Sequence, residues 1–414
     1  MKIRKNIILN IIILIYILII NYLIPNSKNF LFFLGINLFL ISILAILKFK
    51  NSGKISWIIG ITSLCNICWS NSICFSPYSN AFNWQIKLID TPENIIMVKS
   101  VITFYTVFIS TLSINLKYYK KSKNKLLEIK NNSLIFFGGY FILLMCLFTT
   151  FSISNFVLGT YIPQVNAYYE YAIVIFLFCW IYSSKNKVYK FLLILYALFY
   201  ILMGILFGDR SSAFPMIILL LILVNKKEIT LINILKFGIL GILLGNTIDL
   251  FRQGVFQTGF IELLNRGINV NTISYSHYAG VQIIRFANNE FHLMHLLESF
   301  IQIFTGGGTS LAQLAKESGY VNSGGGLTST YFYYWLGYFG TILGGYIFAK
   351  VIARIFIKNS KKNIILQICI ILFSLRWYIY YPSAFFRTAL FIPSLIYLIC
   401  YFIDKKNLVV IIGD

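Results

Sequence analysis

Hydrophobic residues in this 414-residue chain gather in long runs rather than at alternating or helical-face spacing. Most runs hold about 17 to 24 residues, enough for a helix rising 1.5 Å per residue to cross about 30 Å of hydrocarbon. They lie near 6 to 24, 30 to 47, 55 to 74, 95 to 115, 134 to 153, 166 to 184, 191 to 207, 212 to 225, 229 to 247, 331 to 352, 364 to 381 and 386 to 403. The pattern predicts an all-α, polytopic membrane protein with about twelve transmembrane helices, a single transmembrane domain over 1–414. The first run, MKIRKNIILNIIILIYILII, has a basic head but no small-residue cleavage site, so it reads as a retained helix. Most connections are short; one excursion, 248 to 330, is long enough to be read as a functional extracytoplasmic loop.

Composition strengthens the membrane reading. The chain is 58% hydrophobic, 17% aromatic and only 12% charged, outside the range of soluble domains. A net charge of +22 raises nucleic acid as a partner, but 27 of the 35 basic residues are Lys and most sit in short clusters between apolar runs. That is a topology signal, and it leaves no nucleic-acid footprint. With the N-terminus in the cytosol, KFKNSGK, KYYKKSKNKLLEIK, KNKVYK, NKKE, KNSKKN and the C-terminal DKKN all fall inside, and so does the C-terminus.

Arginine does not follow lysine. Only Arg4 and Arg354 fall inside, whereas Arg210, Arg252, Arg266, Arg285, Arg376 and Arg387 fall on the outer half. Topology needs only positive charge, and Lys supplies it. Arg makes planar, bidentate contacts with phosphate and stays charged when partly dehydrated, so the segregation points to an outward-facing anion site. The alternative is that these arginines pair with Asp209, Asp249, Glu262 and Glu290, or meet lipid headgroups. In FGDRSSAFP, 207 to 215, the apolar run after Arg210 is too short to span a bilayer. Asp209 and Arg210 are therefore expected at the floor of an outward-open cavity, with Ser211 or Ser212 capping the next helix.

Within the large loop, 277 to 304 has apolar residues at helical spacing and is expected to lie on the membrane surface as an amphipathic helix. The glycine triplets 306 to 308 and 324 to 326 read as hinges or places of close backbone approach to a ligand. His292, His295 and Glu298 have metal-like spacing but no fourth ligand, and the seven cysteines lie in or beside apolar segments, so neither metal nor other cofactor is expected. The inner loops contain no GxxxxGK phosphate loop and almost no acidic residues, which disfavours ATP-driven chemistry. A substrate on the outer side must then arrive already activated, and a lipid-linked diphosphate meets that need, with cationic groups stabilising the departing pyrophosphate. YFYYW at 331 to 335 and WYIYYP at 377 to 382 suit sugar stacking and equally an interfacial aromatic belt.

Three stretches carry a resemblance. NSGGGLTSTYFYYWLGYFGTILGGYIFAK, 322 to 350, resembles the glycine-rich end of the large periplasmic loop and the following helix in Wzy-type O-antigen and capsule oligosaccharide repeat-unit polymerases. GDRSSAF, 208 to 214, is similar to the Gly-x-Arg-small turn that these polymerases share with O-antigen ligases, and FFRTALF, 385 to 391, resembles the Arg-bearing turn before the last helix. The resemblance implies a metal-independent, membrane-embedded C-type glycosyltransferase of the bacterial plasma membrane. It would join undecaprenyl-diphosphate-linked repeat units at its periplasmic or exterior face, with membrane lipid and a chain-length regulator protein as partners. Arg210 and Arg387 take diphosphate or glycan contacts by motif match; Arg252 and Arg285 extend the set by their place in the loop. The candidate site is thus Arg210, Arg252 and Arg285 as catalytic groups, with Arg387, Asp209, Arg376, His277 and Tyr331 as substrate contacts. Tyr331 stands where many relatives have an acidic residue, and the base stays open among His277, Glu290 and Asp249. An O-antigen ligase shares the arginine turn. A flippase or other twelve-helix transporter is the rival of a different class, but the two halves of this chain are unlike, since only the second holds a large loop.

Overall fold

The computed structural model describes residues 2–78, 83–116, 132–150, 168–183, 186–206, 210–224, 271–288, 290–306, 311–320, 325–358 and 360–412, with short pieces at 236 and 240–241. Helix accounts for 89% of the structure, and the described residues contain no strand, so the class is all-α. Helix α1 (Lys2–Leu18) runs into a wide π turn, Ile19–Leu23, and is followed by α2 (Leu31–Phe49), α3 (Lys54–Trp69) with its own π turn, Ser70–Phe75, α4 (Asn83–Ile89) and α5 (Pro92–Asn115). Next come α6 (Ser133–Thr150), α7 (Tyr168–Tyr182), α8 (Lys187–Leu206) and α9 (Arg210–Val224). The last group is α10 (Asn271–Ala287), α11 (Leu293–Thr305), α12 (Leu311–Glu317), α13 (Thr328–Ile357), α14 (Lys361–Leu372), α15 (Ser374–Ile379) and a π turn, Ala384–Phe391, leading into α16 (Ile392–Ile412). Eleven of the twelve apolar runs are helical; the remaining one, 229 to 247, falls largely outside the described residues.

Six helices among the described residues are long and apolar enough to cross a membrane: Lys28–Phe49, Lys54–Phe75, Pro92–Asn115, Lys187–Ile205, Thr328–Ile357 and Ala384–Asp404. Their outward faces agree with that environment. Leu40, Leu44 and Leu47 of α2, Leu195, Leu198 and Leu202 of α8, and Leu398, Ile399 and Phe402 of α16 are all exposed at helical spacing. Water would drive such stripes inward, so in this protein they are lipid-facing, and the protein is membrane-embedded.

The core forms where α5 crosses α13. Small residues on α13 let the backbones close up, since a Cβ on Gly345 would lie 2.6 Å from the Phe104 carbonyl oxygen. Phe104, Phe332, Phe348, Trp377 and Phe385 fill the space around the crossing, with Phe348 stacked on Phe385 at 4.3 Å between centroids. Helix α13 is broken at Leu336 and Gly337; Gly337 has φ 61, ψ −150, a conformation open to glycine and strained for other residues. Lys99, fully buried on α5, donates to the Ile24 carbonyl and to Asn26 Oδ1 at 2.7 Å, so its ammonium is solvated by the chain itself.

One expectation is corrected. The stretch 277 to 304 is not a single surface helix: α10 and α11 are separated by a break at 288–292, where Asn288 takes a positive φ of 49°. Helix α10 is buried against α5 and α13, with Tyr278, Ala279, Val281 and Ile283 inaccessible. Only α11 keeps an exposed apolar face.

Candidate functional site

Arg387 occupies the middle of the π turn Ala384–Phe391. The local sequence explains the wide turn. Pro393, just beyond it, has no N–H to give the Ala389 carbonyl, and its ring crowds the preceding turn, so the helix opens here. The opened turn directs Arg387 toward α7, where the guanidinium carbon lies 5.7 Å from the Tyr171 ring centroid. Gly306, the left-handed C-cap of α11 with φ 72°, packs against the same guanidinium, and any Cβ there would overlap it. Arg387 Nε is buried and has no hydrogen-bond partner. No carboxylate among the described residues pairs with it; the single ion pair there joins Lys28 to Asp90 at 3.5 Å. A buried, unpaired donor on a charged group costs about 1–3 kcal/mol or more, which marks the place for an anion.

The inner edge of α11 carries a second cluster. The Tyr334 ring, inaccessible on α13, stacks on His292 at 4.1 Å and 7° and on Phe286 at 5.8 Å. Its hydroxyl hydrogen-bonds His295 Nδ1 at 2.6 Å. His292 Nε2–H donates to the Ala287 carbonyl at 3.1 Å, which fixes that tautomer, while the His292 backbone N–H donates to the Trp335 carbonyl. The two histidines are thus taken up by an aromatic stack. Among the described residues no group of three or more His, Cys, Asp or Glu is placed to hold a metal.

The remaining candidates sit in contacts of their own. Arg376 Nε donates to the Tyr381 hydroxyl at 3.2 Å, and its guanidinium lies 5.8 Å from that ring. Arg285 is exposed in the last turn of α10, where a cation suits the carbonyl end of the helix. His277 is buried; Asn94 Nδ2 donates to the Ile89 carbonyl, so Asn94 Oδ1 faces the imidazole and accepts from His277 Nε2–H at 2.8 Å. Burial holds this imidazole neutral, pushing its pKa down to about 3. Tyr331 is buried in the first turn of α13, edge-on to Trp335 at 6.0 Å. Arg210 is the first residue of α9, while Asp209, Asp249 and Arg252 lie outside the described residues.

Sequence reasoning missed Gly306 and Tyr171 as the neighbours of Arg387. The glycine triplet at 306 to 308 was the available signal for the first; nothing in the sequence marked the second. At the second triplet, Gly325 and Gly326 have φ of 106° and 122° and pack against the Tyr380 and Ile283 side chains. Comparison with family models, with curated proteins and with solved structures finds no match. What the fold and the exposed apolar stripes define is an all-helical, membrane-embedded protein.

Proposed function

We propose that the chain is a membrane-embedded glycosyltransferase that polymerises undecaprenyl-diphosphate-linked oligosaccharide repeat units on the outer face of a bacterial plasma membrane, for O-antigen or capsule. The observation that carries this reading is Arg387: a half-buried guanidinium set against Tyr171 and Gly306, with its Nε buried and unpartnered and no ion pair to a carboxylate among the described residues. Such a group suits a diphosphate whose negative charge grows as the glycosidic bond to it breaks. On this reading the twelve apolar runs are twelve spans with both termini cytoplasmic, and 248–330 is the extracytoplasmic loop. Arg210, Arg252 and Arg285 then serve the same charge development, with Arg376 and Asp209 at its margin. His277 and Tyr331, both buried, act by holding α10 and α13 in place.

The test is to incubate purified protein with synthetic undecaprenyl-diphosphate repeat units in a chelating buffer and resolve the products by length. A ladder of dimers and longer glycans supports the reading. Transbilayer movement of the lipid without new glycosidic bonds overturns it in favour of a transporter, and transfer only to lipid A core favours a ligase.

A further inference from the structure

Helix α11 is amphipathic in the reverse sense. A helix lying at a membrane surface turns its polar face to water. Here Leu293, Met294, Leu297, Phe300, Ile301 and Phe304 face away from the protein, each between 54% and 70% exposed. The face turned to the protein mixes half-buried His292, His295, Ser299 and Gln302 with half-buried Leu296 and buried Ile303, and Glu298 is exposed beside the apolar stripe. Hydrocarbon suits the outer side of such a helix, while the inner side is packed against the aromatic stack of Tyr334 and Phe286.

The two ends of α11 rest on two backbone breaks, the α13 kink at Leu336 and Gly337 and the π turn Ala384–Phe391. At its start, the His292 N–H donates to the Trp335 carbonyl, and the Phe291 ring packs where a Cβ on Gly337 would stand. At its end, Phe304 meets Phe391 edge-on at 5.2 Å, and Gly306 lies against Arg387. The apolar stripe, about 20 Å long for 13 residues, therefore ends beside the Arg387 guanidinium, whose Nε has no partner.

We propose that this edge is a lateral port for a polyprenyl diphosphate, whose phosphates reach Arg387 past Gly306 while its chain lies along the apolar face of α11. The proposal rests on the reading that the substrate is lipid-linked. A stripe one helix wide that ends at one cation fits a single chain with its charge at the tip. A two-chain phospholipid would leave one chain off it.

The test uses the full-length protein in lipid nanodiscs and an undecaprenyl diphosphate that carries a diazirine in its chain and no glycan. Photo-adducts are expected to concentrate on Leu297 and Ile301 rather than on Leu44 and Leu198, exposed residues on other lipid-facing helices. Unlabelled undecaprenyl diphosphate should compete and phosphatidylglycerol should not. Arg387→Ala should lower the α11 adducts about tenfold, the loss expected for one charge-assisted hydrogen bond, and leave those on Leu44 unchanged as a check on folding. Equal labelling of all four positions, equal competition by phosphatidylglycerol, or α11 adducts unchanged in Arg387→Ala would each show only annular lipid and overturn the port. Specific labelling without polymer formation would sink the polymerase and leave the port standing. Polymer formation with uniform labelling would do the reverse.

Discussion

Gly306 and Arg387 are packed against each other: a Cβ on the α11 cap would overlap the guanidinium, 81 positions away in sequence. A side chain at 306 and the observed arginine rotamer exclude each other. The position of the cation is thus written into the backbone of a different helix, and Tyr171 supports it from α7.

Gly306→Ala should therefore do two separable things. The positive φ strains any alanine, costing about 1 kcal/mol, and the new methyl pushes Arg387 off Tyr171. Gly319→Ala is the control for the first effect, because Gly319 has φ 86° and nothing within 4 Å of a Cβ. Both variants should lose similar thermal stability. Only Gly306→Ala should lose polymerisation rate, by at least about tenfold if the displaced guanidinium gives up one charge-assisted hydrogen bond.

Arg387→Lys keeps the charge and the topology but not the planar fork, and a lysine ammonium at this site cannot offer two parallel donors to a diphosphate. We expect a fall in glycan polymerisation of about a hundredfold, read as ladder formation from synthetic repeat units. Tyr171→Leu should cost about two- to thirtyfold, in line with the ~0.5–2 kcal/mol of a cation over an aromatic face. Full activity in Arg387→Lys would remove this arginine from the diphosphate. The same substitution at Arg210 tests the arginine that the sequence placed first.

The helices were legible from the sequence because a long apolar run has one physical outcome in a bilayer, and 30 to 47 or 95 to 115 matched α2 and α5 within about three residues. The break between α10 and α11 was not, because both halves have helical periodicity. What separates them is tertiary: His292 is claimed by Trp335 and Tyr334, and Asn288 turns back with positive φ. The site was half legible. Arg387 stood out by its residue type and side, but its partners, Gly306 and Tyr171, come from distant segments that no local pattern links. His292 and His295 had metal-like spacing, and that same spacing also lets two rings flank one tyrosine.

Gly345→Leu tests the crossing of α5 and α13. The added side chain would meet the Phe104 carbonyl and Val107, both rigid parts of a packed helix, so the neighbours cannot yield as a flexible side chain would. Overpacking of this kind costs about 1–3 kcal/mol. Thermal unfolding in detergent should show a clear loss of stability in Gly345→Leu. Gly138→Ala, with nothing within 4 Å of a Cβ on α6, should be unchanged or slightly more stable, since alanine favours helix.

His277 gives the protein a predictable acid limit. In the unfolded chain an imidazole takes up its proton near pH 6.5, whereas in the fold burial keeps His277 neutral until about pH 3. Between those values the unfolded state binds more protons, so stability falls as pH falls; above pH 6.5 both states are neutral and the residue adds no pH dependence. One proton over the interval from pH 6.5 to 5 is worth about 2 kcal/mol. His277→Gln removes the titration and keeps a donor for Asn94 Oδ1, so its unfolding temperature should vary less with pH than that of the parent, with the two curves diverging only below pH 6.5. Parallel curves across pH 5 to 7.5 would show that His277 takes up its proton at the same pH in the fold as in the unfolded chain, and that burial does not hold it neutral.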